Sequence, residues 1–140
     1  MSSPTTPLAP RGNTVVGPTI RIQGTVTAAE EILLEGDRAV LGFHSLDLTG
    51  IKSIQLILYA EKWKDMAGGH VECRIDGEEG ALLGVTGPIS VLEDRKADKP
   101  LISLEGKALK GKHSVYFIFR NPGVRDHRLL MEIRGVLFQK

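Results

Sequence analysis

Short segments of alternating apolar and polar residues constrain the fold of this chain more than any other feature of its sequence. The clearest examples lie at 51–60, 69–76 and 113–120. A period of two residues is that of a half-buried β-strand, with one face on a core. The predicted core-facing residues are Ile54, Leu56, Leu58 and Ala60 in the first, Val71, Cys73 and Ile75 in the second, and Val115, Phe117 and Phe119 in the third.

Further strand candidates are separated by residues that favour turns. They lie at 19–24, 31–35, 39–43, 81–85, 101–104 and 129–138, and Gly135 in the last predicts a bulge that reverses the facing pattern. The one helix-like stretch, 28–34, is short. About ten strands at spacings of roughly 8–12 residues predict an all-β sandwich of two antiparallel sheets.

Length and charge limit the organisation and the function class. A chain of 140 residues fits one domain, with a tail or linker at 1–18, where Pro, Ser, Thr and Gly dominate, and a sandwich at 19–140. The net charge of +1 gives no strong field for nucleic acid or an anionic membrane, so neither is an expected partner. No apolar run reaches the length of a membrane span, and the first residues lack a signal-peptide pattern.

Two motifs in order carry a family resemblance. The first is Gly-His-Val-Glu-Cys-Arg-Ile-Asp at 69–76, followed by Gly-Ala-Leu-Leu-Gly at 80–84, and the second is Gly-Lys-His-Ser-Val-Tyr-Phe-Ile-Phe at 111–119. With Asp-Leu-Thr-Gly-Ile-Lys-Ser-Ile at 47–54, they resemble the family 6 carbohydrate-binding modules. The resemblance covers residues 19 to 140. It implies a jelly-roll sandwich of the galactose-binding-domain-like type.

The resemblance also implies a context and a partner. It is strongest to modules at the C-terminal end of large exported bacterial proteins that carry sugar-dehydrogenase-like and cytochrome c-like domains. A secreted or periplasmic location is therefore expected, with covalently linked N-terminal domains and a polysaccharide or oligosaccharide as partners. Arg74 is expected to pair with a carboxylate on a neighbouring strand.

Sugar recognition needs an exposed aromatic ring and fixed polar groups. Trp63, flanked by two lysines in a polar loop, is a candidate stacking platform; the equal alternative is that it caps the sandwich edge. The loop at 121–127 adds Asn121, Arg125, Asp126 and His127 as candidate ligand contacts. An ordinary polar turn built by Asn-Pro-Gly is the preferred alternative for that loop.

The chain departs from the family pattern at two places. The loop at 87–100 has no aromatic residue, and Tyr59 and Tyr116 lie within strands, where packing in the core or between the sheets is expected. The family's calcium-binding pattern falls on Glu132 and Arg134, and arginine does not ligate Ca²⁺, so no metal site is expected there.

No catalytic motif is present. The four histidines form no metal-type spacing with Cys73, which is expected to be a small buried hydrophobic residue, and no nucleophile elbow, phosphate loop or dinucleotide motif occurs. We therefore expect a non-catalytic carbohydrate-binding accessory module with no cofactor. The alternative is a docking module that makes protein–protein or interdomain contacts and has lost sugar binding.

Overall fold

The structure is a computed structural model that describes residues 32–62, 65–91, 97–107, 109–125 and 128–139. These residues contain eight β-strands. The predicted strand at 19–24 and the predicted linker at 1–18 lie outside these ranges. The strands are β1 (Ile32–Glu35), β2 (Ala39–Asp47), β3 (Ser53–Tyr59), β4 (His70–Ile75), β5 (Ala81–Val85), β6 (Leu101–Ser103), β7 (Lys112–Arg120) and β8 (Leu129–Gln139).

The strands pair into two antiparallel sheets. One sheet has the order β1-β8-β3-β6 and the other has the order β2-β7-β4-β5. Each pairing between neighbouring strands is antiparallel. The predicted all-β sandwich of two antiparallel sheets is therefore confirmed.

The core lies between the sheets, and the predicted alternation explains it. In β3, β4 and β7 the apolar residues of one face are buried, while their polar neighbours are partly exposed. Phe43 of β2 and Phe117 of β7 meet edge to face, with ring centroids 6.2 Å apart at 77°. Such pairs stabilise a core beyond their buried area. The core-face predictions for all three alternating segments are confirmed.

The predicted irregularity in the last strand is confirmed at Gly135. Ile57 pairs with Gly135, but Leu58 pairs with Ile133, so one extra residue is inserted into β8 there. Ile133 and Val136, three positions apart, are both fully buried. A bulge of this kind changes which residues face the core. The helix-like interpretation of 28–34 is wrong within the described residues, because 32–34 belong to β1, which pairs with β8.

The expectation that both tyrosines pack in the core is wrong. Tyr59 and Tyr116 are half-buried and alternate with fully buried neighbours, so both lie on outward faces of their sheets. The guanidinium of Arg134 sits 4.3 Å from the centroid of the Tyr59 ring. Tyr116 lies across from Gly42 on one side and Arg74 on the other. The alternation that places Leu58 and Phe117 on the core face already requires the adjacent tyrosines to lie on the opposite face.

Antiparallel pairing sorts the connections between the strands into two ends of the sandwich. The β1–β2, β3–β4, β5–β6 and β7–β8 connections lie at one end, here called end A. The β2–β3, β4–β5 and β6–β7 connections lie at the opposite end, here called end B. No helix in the described ranges is long and apolar enough to cross a bilayer.

Candidate ligand-binding site

The described residues among the sequence-predicted contacts belong to end A. Asn121 and Arg125 follow β7 in the β7–β8 connection, and the structure describes both. Trp63, Asp126 and His127 lie outside the described residues, so their predicted roles stay predictions. The structure therefore brings two of the five candidates into one loop.

Asn121 fastens two loops of end A together. Its side-chain Nδ2 donates to the carbonyl of Gly68 at 3.0 Å, and its backbone N–H donates to Oδ1 of Asp37 at 2.8 Å. A Cβ atom at Gly69, next in the chain, would clash with the carbonyl oxygen of Arg120, and the φ of 142° there also favours glycine. The β3–β4 and β7–β8 connections thus approach each other closely, and the amide of Asn121 serves that approach.

Arg125 is exposed beside a shallow cavity at end A. The cavity has a volume of about 270 Å³, and Ala67, Gly123, Val124 and Arg128 also line it. Arg128 pairs with Asp65 at 3.2 Å, but its Nε atom is buried without a hydrogen-bond partner. Two guanidinium groups therefore border this cavity, which makes it a place for an acceptor-rich ligand.

A larger cleft lies on the outer face of the β2-β7-β4-β5 sheet. Its volume is about 450 Å³. The cleft extends from Arg38 at end A to Glu78 and Glu79 in the β4–β5 connection at end B. Strands β2, β7 and β4 form its floor. The lining residues are Arg38, Val40, Glu72, Arg74, Glu78, Glu79, Ile118 and Arg120. We call this the sheet-face cleft.

Charged side chains in the sheet-face cleft are linked in a row. Arg74 Nε donates to Oε1 of Glu72 at 3.2 Å, Arg120 Nη1 approaches Oε2 of Glu72 at 3.5 Å, and Arg120 Nε donates to Oδ1 of Asp37 at 2.9 Å. These side chains are only 17–27% exposed. Partly buried ion pairs of this kind hold both partners in one geometry. The row is therefore a rigid polar floor.

The row corrects one prediction about Arg74. The carboxylate that pairs with Arg74 belongs to Glu72 of the same strand, two residues away on the same face, and not to a neighbouring strand. Arg74 Nη1 also donates to the carbonyl of Gly80 at 2.9 Å. A Cβ atom at position 80 would clash with the carbonyl oxygen of Ile75. This close backbone approach explains why glycine occupies position 80.

The ionisation of Asp37 is shifted by its surroundings. Burial raises its pKa, but the hydrogen bonds from Arg120 and from the Asn121 backbone lower it, as do the charges of Arg120 and Arg38. The net effect holds the pKa of Asp37 below its usual value. Asp37 therefore stays ionised at neutral pH and keeps the guanidinium of Arg120 in place.

Two buried apolar side chains complete the sheet-face cleft. Val40 and Ile118, which face each other across β2 and β7, are 2% and 6% exposed. A polar row beside an apolar strip suits a ligand that has hydroxyl groups and an apolar ring face. Among the described residues, no three His, Cys, Asp or Glu side chains come together as ligands for a metal ion.

Sequence reasoning missed most residues of the sheet-face cleft. Glu72 and Arg74 were visible as the polar face of an alternating strand, but their alignment with Arg120 depends on the pairing of β4 with β7. Asp37 comes from a turn at the start of β2, far along the chain. Strand order is not encoded in local periodicity, so no local signal could have joined these residues.

Comparison with solved structures identifies the fold of this chain. A family 6 carbohydrate-binding module from Clostridium cellulolyticum, solved with xylose, matches with a TM-score of 0.63 at 21% identity, over 81% of this chain and 81% of that one. A module from Clostridium stercorarium, solved with cellobiose, matches with a TM-score of 0.64 at 12% identity, over 94% and 86%. This chain has the fold of the family 6 carbohydrate-binding modules. The expected jelly-roll fold is confirmed.

Two other matches add to this fold assignment. A β-1,3-glucan-binding family 6 module from Bacillus halodurans matches with a TM-score of 0.61 at 18% identity, over 79% of this chain and 76% of that one. An arabinoxylan arabinofuranohydrolase of glycoside hydrolase family 43 from Bacillus subtilis matches with a TM-score of 0.62 at 18% identity; 79% of this chain aligns with only 21% of that enzyme. No family model and no curated protein matches the sequence.

Proposed function

We propose that this chain is a non-catalytic carbohydrate-binding accessory module of a larger exported protein. The observation that carries the proposal is the sheet-face cleft, a polar row beside an apolar strip on a sandwich of this fold. Solved structures with the same fold hold xylose and cellobiose. A shared fold does not fix function, so the argument rests on the chemistry of the cleft.

The sheet-face cleft offers what a neutral glycan needs. Sugar hydroxyl groups both donate and accept, and the alternation of arginine and glutamate along the row supplies both kinds of partner. Val40 and Ile118 form the apolar part of the cleft floor, but they are 2% and 6% exposed, so the polar row makes most of the proposed contact. Because the row is held by its own ion pairs, little side-chain entropy is lost when a ligand binds.

A second contact set lies at end A. It consists of Trp63, Asn121, Arg125, Asp126 and His127, in which Trp63 supplies the stacking ring and the polar side chains hold hydroxyl groups. The cavity beside Arg125 supports this part of the proposal. The Asn121 side chain already donates a hydrogen bond to the carbonyl of Gly68. It therefore has less hydrogen-bonding capacity left for a ligand than Arg125 has.

The proposal extends to a parent protein that carries this chain as one of its modules. The Pro-, Ser- and Thr-rich composition of 1–18 suits a linker to N-terminal domains. The sequence resemblance suggests sugar-dehydrogenase-like and cytochrome c-like neighbours and a secreted or periplasmic location. Fractionation of cells that express the natural full-length protein tests the location, and recovery in the cytosol would contradict it.

The carbohydrate proposal is tested by a glycan array followed by calorimetric titration of each binding glycan. Arg74→Gln probes the sheet-face cleft, because it removes a charged donor at similar size. Trp63→Ala and Arg125→Gln probe end A. Lys99→Gln is the matched control, since Lys99 is exposed and lies in neither contact set. Urea unfolding of every variant establishes that each one remains folded.

We expect Arg74→Gln to weaken glycan binding about tenfold, since a charge-assisted hydrogen bond is lost. A loss confined to Trp63→Ala and Arg125→Gln would move the site to end A and refute the sheet-face cleft. A silent array with folded wild-type protein would contradict carbohydrate binding as a whole.

A docking module is the second candidate function, and one observation favours it. Leu82 and Val85 of β5 are 41% and 48% exposed, and Leu101 of β6 is 58% exposed. Each strand is the edge of its sheet among the described strands, and β5 and β6 contact each other. Exposed apolar residues on edge strands are typical of protein–protein contacts.

Sedimentation equilibrium and crosslinking with the parent protein's other domains test the docking function. Association that is lost in Leu82→Lys and Leu101→Lys, but kept in Arg74→Gln, would support it. A monomer that binds none of those domains would refute it.

A further inference from the structure

A pocket at end B has a chemistry unlike that of the sheet-face cleft. Its volume is about 350 Å³, and it lies between the β2–β3 and β6–β7 connections. Its floor is apolar, since Ile51 and Leu104 are buried and Leu109 is partly buried against the core. The remaining lining residues are Gly50, Lys52, Glu105 and Gly106.

Three lysines lie in the two connections that form this pocket. Lys52 lines it, and Lys107 and Lys110 directly follow the lining residues Gly106 and Leu109 in the chain. All three lysine side chains are exposed. Glu105 is the one acidic residue of the lining. The described residues of the two connections that form the pocket thus include three lysines and one glutamate, although the net charge of the chain is only +1.

The lysines have no acidic partner in the described structure. None of the ion pairs found among the described residues involves Lys52, Lys107 or Lys110. Several arginines of the sheet-face cleft, by contrast, are already neutralised by carboxylates. The ammonium groups at end B therefore remain available to an external anion.

Backbone hydrogen bonds hold the two connections together. Leu104 N–H donates to the carbonyl of Lys52 at 2.8 Å, and Lys52 N–H donates to the carbonyl of Gln139 at 2.7 Å. Lys107 N–H closes a turn on the carbonyl of Leu104 at 3.0 Å. The carbonyl of Lys110 lies 2.9 Å from Nε2 of His113. The backbone that carries the three lysines is therefore held in place before a ligand arrives, while their side chains stay free to turn toward it.

We propose that this lysine-rimmed pocket binds an anionic polysaccharide, one that carries carboxylate or sulfate groups on its sugar rings. The ammonium groups of Lys52, Lys107 and Lys110 pair with the acidic groups, and the apolar floor contacts the carbon-bound face of a ring. The residues that line the pocket include no aromatic side chain, which disfavours single-stranded nucleic acid, because its bases bind by stacking.

This site goes beyond the neutral-glycan site proposed above, and it is separate from it in space. Lys52 and Lys107 belong to end B, whereas Arg74 and Arg120 belong to the outer sheet face. A single chain with both sites would hold a neutral and an acidic polymer at once.

The test titrates the full chain with polygalacturonate and, separately, with dextran sulfate, using unmodified dextran as the neutral probe. The double variant Lys52→Gln/Lys107→Gln removes two charges from the pocket. The matched control Lys62→Gln/Lys99→Gln removes the same charge elsewhere. Lys62 lies in the β3–β4 connection and Lys99 lies in the β5–β6 connection, both at end A. The two anionic probes distinguish carboxylate from sulfate as the recognised group.

We expect at least one anionic probe to bind, with an affinity that falls about five- to tenfold in the pocket variant and less than twofold in the control. The affinity of the wild type is also expected to fall with added salt. An equal loss in both double variants would overturn the proposal, because it would indicate binding to net charge alone. The absence of binding to both anionic probes would also overturn it. So would lysine-dependent binding of duplex DNA with the same affinity as the anionic polysaccharides.

The outcome is independent of the neutral-glycan proposal. Arg74→Gln is expected to leave the binding of the anionic probe within twofold of the wild type, and the lysine variant is expected to leave neutral-glycan binding unchanged. Failure of one site therefore does not imitate failure of the other.

Discussion

Arg120 donates its Nε proton to Oδ1 of Asp37 over 2.9 Å, and this bond joins the end of β7 to the turn before β2. The same carboxylate oxygen accepts the backbone N–H of Asn121 at 2.8 Å. One side chain of the turn thus fixes both the last residue of a central strand and the first residue of the following loop. Asp37 thereby links the sheet-face cleft to end A.

Asp37→Asn is expected to destabilise the protein by about 1 kcal/mol at pH 7, since hydrogen bonds to an ionised group that is 25% exposed are lost. The folded-state pKa of Asp37 lies below the unfolded value of about 3.9, so its contribution is present above that pH and is lost as the pH falls through the folded-state pKa. Urea unfolding at pH 7 and pH 2.5 measures both effects.

Asp65→Asn is the control for Asp37. Asp65 is 86% exposed in its pair with Arg128, and its replacement is expected to cost less than about 0.5 kcal/mol. If the Asp37 variant is as stable as the wild type at pH 7, its hydrogen bonds do not stabilise the fold.

The Cys73 thiol is expected to be unreactive in the folded protein. Its side chain is fully buried in β4, and burial raises the pKa of Cys73 to about 12. Since the thiolate is the nucleophile, alkylation at pH 8 is expected to be on the order of 10³-fold slower than for an unshifted thiol. Mass spectrometry after iodoacetamide treatment measures the rate, and the urea-unfolded protein is the control. Rapid labelling of the folded chain would refute the buried position.

Gly84→Ala is expected to destabilise the protein by about 1–3 kcal/mol, because a Cβ atom at position 84 would lie 2.6 Å from Cγ2 of the buried Ile102. In an Ile102→Ala background the same change is expected to cost much less, because the obstructing methyl group is gone. Thermal and urea unfolding of the cycle measures both costs. Gly87→Ala is the control, since a Cβ atom there meets no other atom within 4 Å; equal costs at the two positions would contradict the prediction.

Arg134→Leu is expected to destabilise the protein by about 2–3 kcal/mol. Glu132, with which Arg134 pairs, is fully buried, so the variant leaves a buried carboxylate without this partner. The contact of Arg134 with the Tyr59 ring is lost as well. The double variant Glu132→Gln/Arg134→Leu is expected to recover part of the loss, as measured by urea unfolding. A double variant less stable than the single one would indicate that the pair is not the cause.

Much of the fold could be predicted because each strand carries its own pattern. Val71, Cys73 and Ile75 alternate with polar residues, and the alternation alone places them on one face. Gly135 marked the bulge in β8 because a glycine in a long strand favours that irregularity.

The candidate site could be predicted only in part. Asn121 and Arg125 were found because a polar loop after a strand is visible in the sequence. The contact of the Asn121 amide with Gly68 was not predicted. The partner of Arg74 was placed on the wrong strand, because residues two apart on one face of a strand compete with cross-strand neighbours. The lysines of end B were visible singly, but their common pocket was not.

The sequence by itself determined the strands, most of their core faces and the class of fold, since these depend on periodicity and turn residues over a few positions. Only the tertiary structure decided the order of the strands in each sheet. That order brings Glu72 beside Arg120, and Asp37 beside both Arg120 and Asn121. The reason is physical: side-chain contacts across a sheet depend on pairings between residues far apart in the chain, such as Ile32 with Ile133, and local patterns do not specify such pairings.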